Sequence, residues 1–290
     1  MIKNILKKTV IFFFEIALLI YKNFFGSLYQ GHVFSRNVLS HTLDRTFNFK
    51  LCEYYFDKII KTKNINLSDK ITADLASNEN YWAIYLAKKK TKIVHAIEVN
   101  KKTYNRGNFI LKIEKFKNLF NGRYDFTKKI KTHNDDILNF KYEKLDFVLI
   151  PGVFYHLDLE EQFNLIKIIQ KYFKEGIIST MIYNGKEKLN TKEYTKSTKN
   201  YNIFYKDKYI IIHKDKKKID HKSSHMMSKN VLWPSREYLN EIFLNENIYL
   251  EEIEEYGFHK KLDSNRNDSM IIDNAIVGYH DFYFKNNNLV

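Results

Sequence analysis

The feature that most constrains the fold is an alternation of short apolar runs with amphipathic segments from about residue 70 onward. The apolar runs predict strands at 71–75, 92–99, 145–152 and 176–183, with helical patterns between them. The third run is nearly continuous, as expected of a strand that is covered on both faces. This alternation predicts a mostly parallel sheet with right-handed crossovers, which is an open doubly wound α/β domain with helices on both faces.

The best-defined helix follows the strand at 145–152. Its apolar stripe recurs at steps of three and four residues and consists of Leu159, Phe163, Ile166, Ile169 and Phe173. Asp158 and Glu161 form a capping-box pattern at its start, and Gly176 is predicted to close it. A later helix is predicted to begin after Ser235, which serves as its N-cap, and to run through about Phe243.

The alternation is interrupted at residues 184–230, a lysine-rich segment that we interpret as an inserted flap. Strands near 249–253 and 271–279 complete the predicted core. Residues 1–69 precede the core and have a helical pattern. The predicted organisation is therefore an N-terminal helical extension followed by one domain, residues 70–290, that carries the insertion.

Composition indicates a globular protein with a large core. Hydrophobic residues make up 44% of the 290 residues and aromatic residues 16%, which excludes wholesale disorder. The single cysteine, Cys52, excludes an internal disulfide framework and a cysteine-based zinc site, and it fits a reducing cytoplasm. The net charge is +14, and residues 182–230 hold thirteen lysines against five acids. This patch predicts either attraction for an anionic partner or a solvated lysine-rich loop.

The N-terminal segment, residues 1–26, combines lysines with bulky apolar residues. Its apolar run from Val10 to Tyr21 is interrupted by Glu15 and is shorter than the ~20 residues that span a bilayer. The segment predicts either a helix that lies in a membrane interface or a helix that docks on the core of the protein itself. We therefore expect a cytoplasmic protein, either soluble or held at the membrane periphery.

Carboxylates stand at the ends of successive apolar runs. Asp74 ends the first, and Glu98 ends the second at the spacing of a carboxylate that accepts both hydroxyls of a ribose. A third polar cluster contains Asp135 and Asp136, either of which is suited to accept from the exocyclic amine of an adenine. Ligands of open α/β sheets bind beyond the carboxyl ends of the strands. The sequence therefore predicts a nucleotide-type site at this edge.

In the order of these elements and in its sequence motifs, the chain resembles class I S-adenosylmethionine-dependent methyltransferases. The stretch "GVFYHLDLEEQFNLIKIIQKYFKEG", 152–176, is similar to the Gly-Val-Leu-Tyr-His segment of the tRNA wobble-uridine carboxymethyltransferase group and of related small-molecule and glycan methyltransferases. The stretch "VLWPSREYLNEIFLNENIYLEEIEEYG", 231–257, resembles the late helix and strand of that group. The similarity covers roughly residues 45–183 and 230–282.

The resemblance implies a Rossmann-like sheet of seven strands and S-adenosylmethionine as the cofactor. It implies that Asp74 and the loop after it hold the methionine end of the cofactor and that Glu98 holds the ribose. It also implies that Asp136 and Ile137 flank the adenine. Pro151-Gly152 would line the side of the sulfonium.

The loop after the first strand departs from the family pattern. Ala76, Asn78 and Asn80 stand where the pattern has three glycines. Glycine reaches positive φ without strain, asparagine is the next-best residue there, and alanine keeps the side chain to one methyl. We therefore expect the loop to keep its path. The alternative is a methyltransferase-like fold whose pocket no longer binds the cofactor.

Residues after the strand at 145–152 are the candidates for chemistry. His156 is a candidate general base for a hydroxyl acceptor, and Tyr155 is a candidate to orient that acceptor. The alternative is that His156 caps the following helix and anchors its loop. Trp233 and Arg236 are candidates to contact a substrate ring or carboxylate, or else are packing residues.

Three histidines of the insertion have a spacing that invites a metal interpretation, namely His213, His221 and His225. Because no acid–histidine helix of the metalloprotease type accompanies them, we predict no metal site and interpret these histidines as substrate contacts or simply exposed residues.

Three functions are consistent with these features. The first is methyl transfer to a hydroxyl or other nucleophile of an anionic small molecule or glycan, with the flap at 184–230 supplying specificity. The second is tRNA modification, which the net charge favours and the small number of arginines, six, disfavours. The third is a non-catalytic methyltransferase fold that binds a partner or a membrane surface through residues 1–26 and the flap.

Overall fold

The computed structural model describes residues 43–183, 201–205, 209–214, 230–253 and 277–289. The described helices are α1 (Leu43–Thr62), α2 (Tyr81–Lys88), α3 (Lys101–Phe120), α4 (Leu159–Tyr172) and α5 (Arg236–Asn245). The strands are β1 (Ile71–Leu75), β2 (Ile93–Ile97), β3 (Ile130–His133), β4 (Leu145–Pro151), β5 (Phe173–Tyr183), β6 (Tyr201–Tyr205), β7 (Tyr209–Lys214), β8 (Asn230–Pro234), β9 (Ile248–Glu252) and β10 (Val277–Asn286). Short 3-10 turns lie at Phe126–Lys129 and Phe154–His156.

The main sheet has seven described strands in the order β3-β2-β1-β4-β5-β10-β9. β1 pairs in parallel with both β2 and β4, so that the direction of chain progression reverses between β1 and β4. β10 is antiparallel to its two neighbours, β5 and β9. The predicted Rossmann-like, doubly wound and mostly parallel sheet is confirmed. Its switch point, between β1 and β4, is where ligands of such sheets bind.

Two hydrophobic clusters cover opposite faces of this sheet. Successive side chains of a strand point to opposite faces, and β4 shows both clusters. Val148 and Ile150 pack in the cluster that contains α4 and α5, whereas Phe147 and Leu149 pack in the cluster that contains α1 and α2. β4 is therefore covered on both sides, which is the reason for its nearly continuous apolar sequence.

The predicted start of α4 is confirmed, and its predicted end is wrong. Asp158 and Glu161 form a reciprocal capping box. The helix ends at Tyr172, and Gly176 lies inside β5 instead of closing the helix. A Cβ added at Gly176 would lie 2.4 Å from the carbonyl oxygen of Val148. The glycine thus permits close approach of β5 to β4.

The other predicted elements are confirmed in part. The N-cap role of Ser235 is confirmed, since its hydroxyl accepts a hydrogen bond from the Tyr238 amide. The last described strand covers Val277–Asn286, so the strand predicted near 271–279 overlaps it at 277–279, and residues 271–276 lie outside the described residues. β3 was not predicted as a strand because its four residues, IKTH, are mostly polar and lie at the edge of the sheet.

The predicted N-terminal extension and insertion are described in part. α1 packs on the core, with the rings of Phe56 and Trp82 4.8 Å apart. β6, β7 and β8 form a separate antiparallel sheet within and at the end of the insertion. Residues 1–26, His221 and His225 lie outside the described residues, while His213 belongs to β7. In the part of the chain that the structure describes, no helix has the length and apolar character needed to cross a membrane.

Candidate functional site

The loop that joins β1 to α2 is left-handed at three positions. φ is 55° at Ala76, 53° at Asn78 and 66° at Asn80. A left-handed conformation costs a residue with a Cβ roughly 1–2 kcal/mol, and asparagine tolerates it better than most. The backbone therefore adopts, without glycine, the conformation that normally requires glycine.

Backbone amides tie this loop to the end of β2. The Ser77 amide donates to the carbonyl oxygen of Ile97 at 2.9 Å, and the Asn78 amide donates to Glu98 Oε2 at 2.9 Å. Glu98 Oε1 accepts from the amide of Asn100, the N-cap of α3, at 2.8 Å. The Glu98 side chain thus joins the loop to the first turn of α3.

Glu98 is buried, with 2% of its surface exposed. Burial raises the pKa of its carboxyl, and the amides of Asn100 and Asn78 oppose this shift. A buried carboxyl whose pKa is shifted by its surroundings is typical of functional sites. Glu98 directly follows β2, which is the position predicted for it, and its role toward a ribose stays a prediction.

A second buried carboxyl, Asp74, lies at the end of β1. It is fully buried, and neither of its oxygens has a hydrogen-bond partner among the described residues. Burial raises its pKa well above the usual range; the nearby Ala83 amide opposes the shift, and the charge of Glu98 adds to it. Such an orphaned polar group beneath the loop marks a place where a polar ligand or water would be stabilised.

The predicted adenine residues lie in the loop after β3. Asp136 Oδ1 accepts from the Leu138 amide at 2.9 Å and so stabilises its own turn, while the side chain of Ile137 is buried in the main core. The Glu98 amide donates to the carbonyl oxygen of His133 at 3.0 Å. The structure therefore brings the loops after β2 and β3 together.

The turn after β4 carries the other candidates. Gly152 has a φ of 81°, and its amide donates to the carbonyl oxygen of Ser179 at 3.0 Å. Tyr155 and His156 are half-buried neighbours whose ring centroids lie 4.1 Å apart. The N-cap of α4 is Asp158, so the alternative that His156 caps this helix is wrong.

A buried glutamine holds this turn in place. Gln162 Nε2 donates to the carbonyl oxygens of Phe154, at 3.0 Å, and Leu232, at 2.8 Å. The Leu232 amide in turn donates to the carbonyl oxygen of Leu157 at 3.0 Å. The turn, α4 and strand β8 of the small sheet are thus joined at one point. Sequence reasoning missed Gln162, although a polar residue beside the apolar stripe of α4 was the available signal.

The two predicted substrate contacts are engaged in packing and pairing. Trp233 is buried in β8, with 4% of its surface exposed. Arg236 pairs with Glu252, with Nη2 and Oε1 3.0 Å apart, and also contacts His280. Burial raises the pKa of Glu252, but hydrogen bonds from His280 and Arg236 outweigh it and lower that pKa to about 2. The contacts of both side chains favour the packing interpretation.

The fold and this edge of the sheet place the chain among Rossmann-like α/β domains. A scan against protein-family models and a search of curated proteins find no match to the sequence.

Solved structures, by contrast, do match. The N-terminal domain of EvdMO1, in the presence of SAH and D-fucose, aligns with a TM-score of 0.59 at 13% identity, over 92% of this chain and 94% of that one. The same domain with SAH bound aligns with a TM-score of 0.59 at 12% identity and the same coverage. A structure of EvdMO1 aligns with a TM-score of 0.53 at 11% identity, over 92% of this chain and 46% of that one. At such low identities the likeness shows a common fold.

Proposed function

We propose that this chain is an S-adenosylmethionine-dependent methyltransferase that acts on a hydroxyl or other nucleophile of an anionic small molecule or glycan. The observation that carries the proposal is the left-handed loop at 76–80, whose Asn78 amide meets Glu98 at the switch point of the sheet. The EvdMO1 domain, which shares the fold, was solved with SAH and D-fucose, a sugar. This supports both a cofactor of that class and a hydroxylated acceptor.

The residues at this edge fit an adenosyl amino acid. Glu98 is a buried acceptor at the end of β2 that already receives two backbone amides, and the Asp74 carboxyl, buried at the end of β1, has no hydrogen-bond partner for its oxygens among the described residues. The loop at 76–80 would hold the methionine end, and Asp136 with Ile137 would flank the adenine. Gly152, which has no side chain, would leave room beside the sulfonium.

S-adenosylmethionine supplies a methyl group on a sulfonium that is ready for in-line displacement. The protein's own contribution is to hold the acceptor in near-attack geometry and to remove its proton where needed. In this proposal the Tyr155 hydroxyl orients the acceptor by a hydrogen bond. The His156 imidazole accepts the acceptor's proton, a role that typically contributes about 10²–10⁴-fold to the rate.

Calorimetric titration with SAH tests the cofactor site. We expect saturable binding by the wild type and an affinity at least about tenfold lower in Glu98→Gln, since the amide presents a donor where the ribose and the loop amides need an acceptor. Glu175→Gln is the matched control, because Glu175 is a half-buried glutamate at the other end of the sheet that accepts one hydrogen bond, from Tyr283. Absence of heat at millimolar SAH, or equal affinity in Glu98→Gln, would refute the proposal.

A transfer assay tests the chemistry. Methyl-labelled S-adenosylmethionine is incubated with a panel of neutral sugars, sugar acids and sugar phosphates, and labelled products are separated. We expect transfer to at least one anionic sugar, with kcat lowered by about 10²–10⁴-fold in His156→Gln and SAH affinity unchanged. Equal kcat in wild type and His156→Gln would show that His156 is not the general base.

A further inference from the structure

We infer that Gly107, in the interior of α3, is a positioning residue for the loop at 76–80 and hence for the cofactor; this rests on the proposed function. A Cβ built on Gly107 lies 2.5 Å from Asn80 Nδ2 and 3.0 Å from Asn80 Cγ. The same Cβ lies 3.2 Å from the carbonyl oxygen of Asn78. A side chain at 107 would therefore displace the Asn80 side chain and press on the backbone of the loop at Asn78.

Apart from this contact, a glycine is less favourable than alanine at position 107. A glycine in a helix interior destabilises the helix relative to alanine, because it loses more backbone entropy on folding. α3 runs for 20 residues from Lys101 to Phe120, and Gly107 is buried in its second turn. Its φ is not positive, so the backbone does not require glycine at this position. Close approach of the loop is the remaining reason for it.

The side chain of Asn80 points toward this gap. Asn80 is the N-cap of α2, yet its side chain makes no capping hydrogen bond. It is 2% exposed and packs against α3 instead. The Asn80 side chain thus fills the space that a side chain at position 107 would occupy.

An ion pair next to this contact also joins α3 to the loop. Arg106 Nη1 lies 3.7 Å from Glu79 Oε1, and both side chains are largely buried. Two adjacent residues of α3, 106 and 107, thus face two adjacent residues of the loop, 79 and 80. Glu98 adds a further contact, because it accepts a hydrogen bond from the amide of Asn100 at the start of α3. Through these contacts α3 sets the position of the loop.

A two-by-two set of variants tests the inference: wild type, Gly107→Ala, Asn80→Gly and the double variant. SAH affinity is measured by calorimetry and the melting temperature by scanning calorimetry. We expect Gly107→Ala to weaken SAH binding at least about tenfold and Asn80→Gly to change it less than about threefold. The double variant should bind within about threefold of Asn80→Gly, because removal of the Asn80 side chain makes room for the methyl. Asn105→Ala, on the exposed face of α3, is the control and should bind like wild type.

Two binding results would overturn the inference: wild-type SAH affinity in Gly107→Ala, or a double variant that binds as weakly as Gly107→Ala alone. If Gly107→Ala does not fold, the double variant decides, since a folded and binding double variant supports the coupling and an unfolded one refutes it. If the wild type itself does not bind SAH, the proposed cofactor fails. The melting temperatures then test the positioning of the loop, and strictly additive effects of the two substitutions would refute it.

Discussion

At the scale of single residues, Ala76 is the left-handed residue of the loop whose own side chain does least to stabilise that conformation. Its φ of 55° resembles those of Asn78 and Asn80, but alanine has no side-chain amide that makes the left-handed region easier to occupy. Residues held in sparsely populated backbone regions persist where the surrounding structure imposes them, and they concentrate at ligand sites. Here the amide of the next residue, Ser77, is hydrogen-bonded to β2, which holds the loop in place.

Substitutions of Ala76 should separate backbone strain from packing. Ala76→Gly should raise the free energy of unfolding by about 0.5–1 kcal/mol, whereas Ala76→Val should lower it by more than about 1 kcal/mol because a β-branched residue fits poorly at positive φ. Ala87→Gly, in the regular helix α2, is the control and should be destabilising by about 1 kcal/mol or more. Denaturant unfolding measures all three. A loss of stability in Ala76→Gly equal to that in Ala87→Gly would contradict the left-handed assignment.

At the scale of elements, the turn after β4 depends on a contact between α4 and β8. Gln162 is fully buried, and its amide nitrogen donates to the turn and to the small sheet at once. β8 lies about seventy residues further along the chain, at the end of the insertion. The residues proposed to handle the acceptor, Tyr155 and His156, are therefore positioned in part by the strand that directly follows the inserted segment.

Gln162→Leu should remove the Nε2 donor from the carbonyl oxygens of Phe154 and Leu232, of which Phe154 keeps the amide of Leu157 as a donor. Loss of a donor to a buried acceptor costs roughly 1–3 kcal/mol, and we expect a loss of that size in the free energy of unfolding. We also expect a lower kcat with little change in SAH affinity, because the hydrogen bonds of this glutamine go to the turn after β4 and to β8. Asn164→Leu, an exposed amide on the same helix, is the control and should stay within about 0.5 kcal/mol. Unaltered kcat in Gln162→Leu would limit its role to stability.

At the scale of the whole molecule, the stability of the fold should depend on pH through a histidine pair between β2 and β3. His95 Nδ1 and His133 Nε2 are 3.1 Å apart, and the rings are stacked. Burial, followed by the charges of His133 and Lys131, lowers the pKa of His95 to about 4, although Glu143 opposes this shift. Burial likewise lowers the pKa of His133, with Asp135 opposing. The folded state therefore favours the neutral pair.

The sign of the pH effect follows from this lowered pKa. Between about pH 6.5 and pH 4 the unfolded chain binds the proton of His95 and the folded chain does not, so the stability that the neutral pair contributes is lost as the pH falls through this window. The raised pKa values of Asp74 and Glu98 act in the opposite direction. The measurement is therefore the difference between wild type and His95→Gln in denaturant unfolding at pH 7 and pH 4.5. We expect a smaller loss in His95→Gln, and an equal loss in both would contradict the assignment.

Much of the candidate site was predictable because it depends on local patterns. Apolar runs located β1, β2 and β4, and the acids that follow them located Glu98 and Asp74. β3 was missed since a short polar strand at a sheet edge has no periodicity to reveal it. Gly176 was predicted to end a helix, because glycine is common at helix ends. Instead, the absence of a side chain at Gly176 allows the backbone of Val148 in the neighbouring strand to approach closely.

The sequence alone determined the order of elements, the capping of α4 and α5, and the left-handed tendency at Asn78 and Asn80, because these depend on preferences of neighbouring residues. Only the tertiary structure decided that Gly107 makes room for Asn80 and that Gln162 joins the turn after β4 to β8. These contacts join residues far apart in the chain, and their partners are set by how helices and strands pack on the sheet. A single sequence carries no local signal for such pairings.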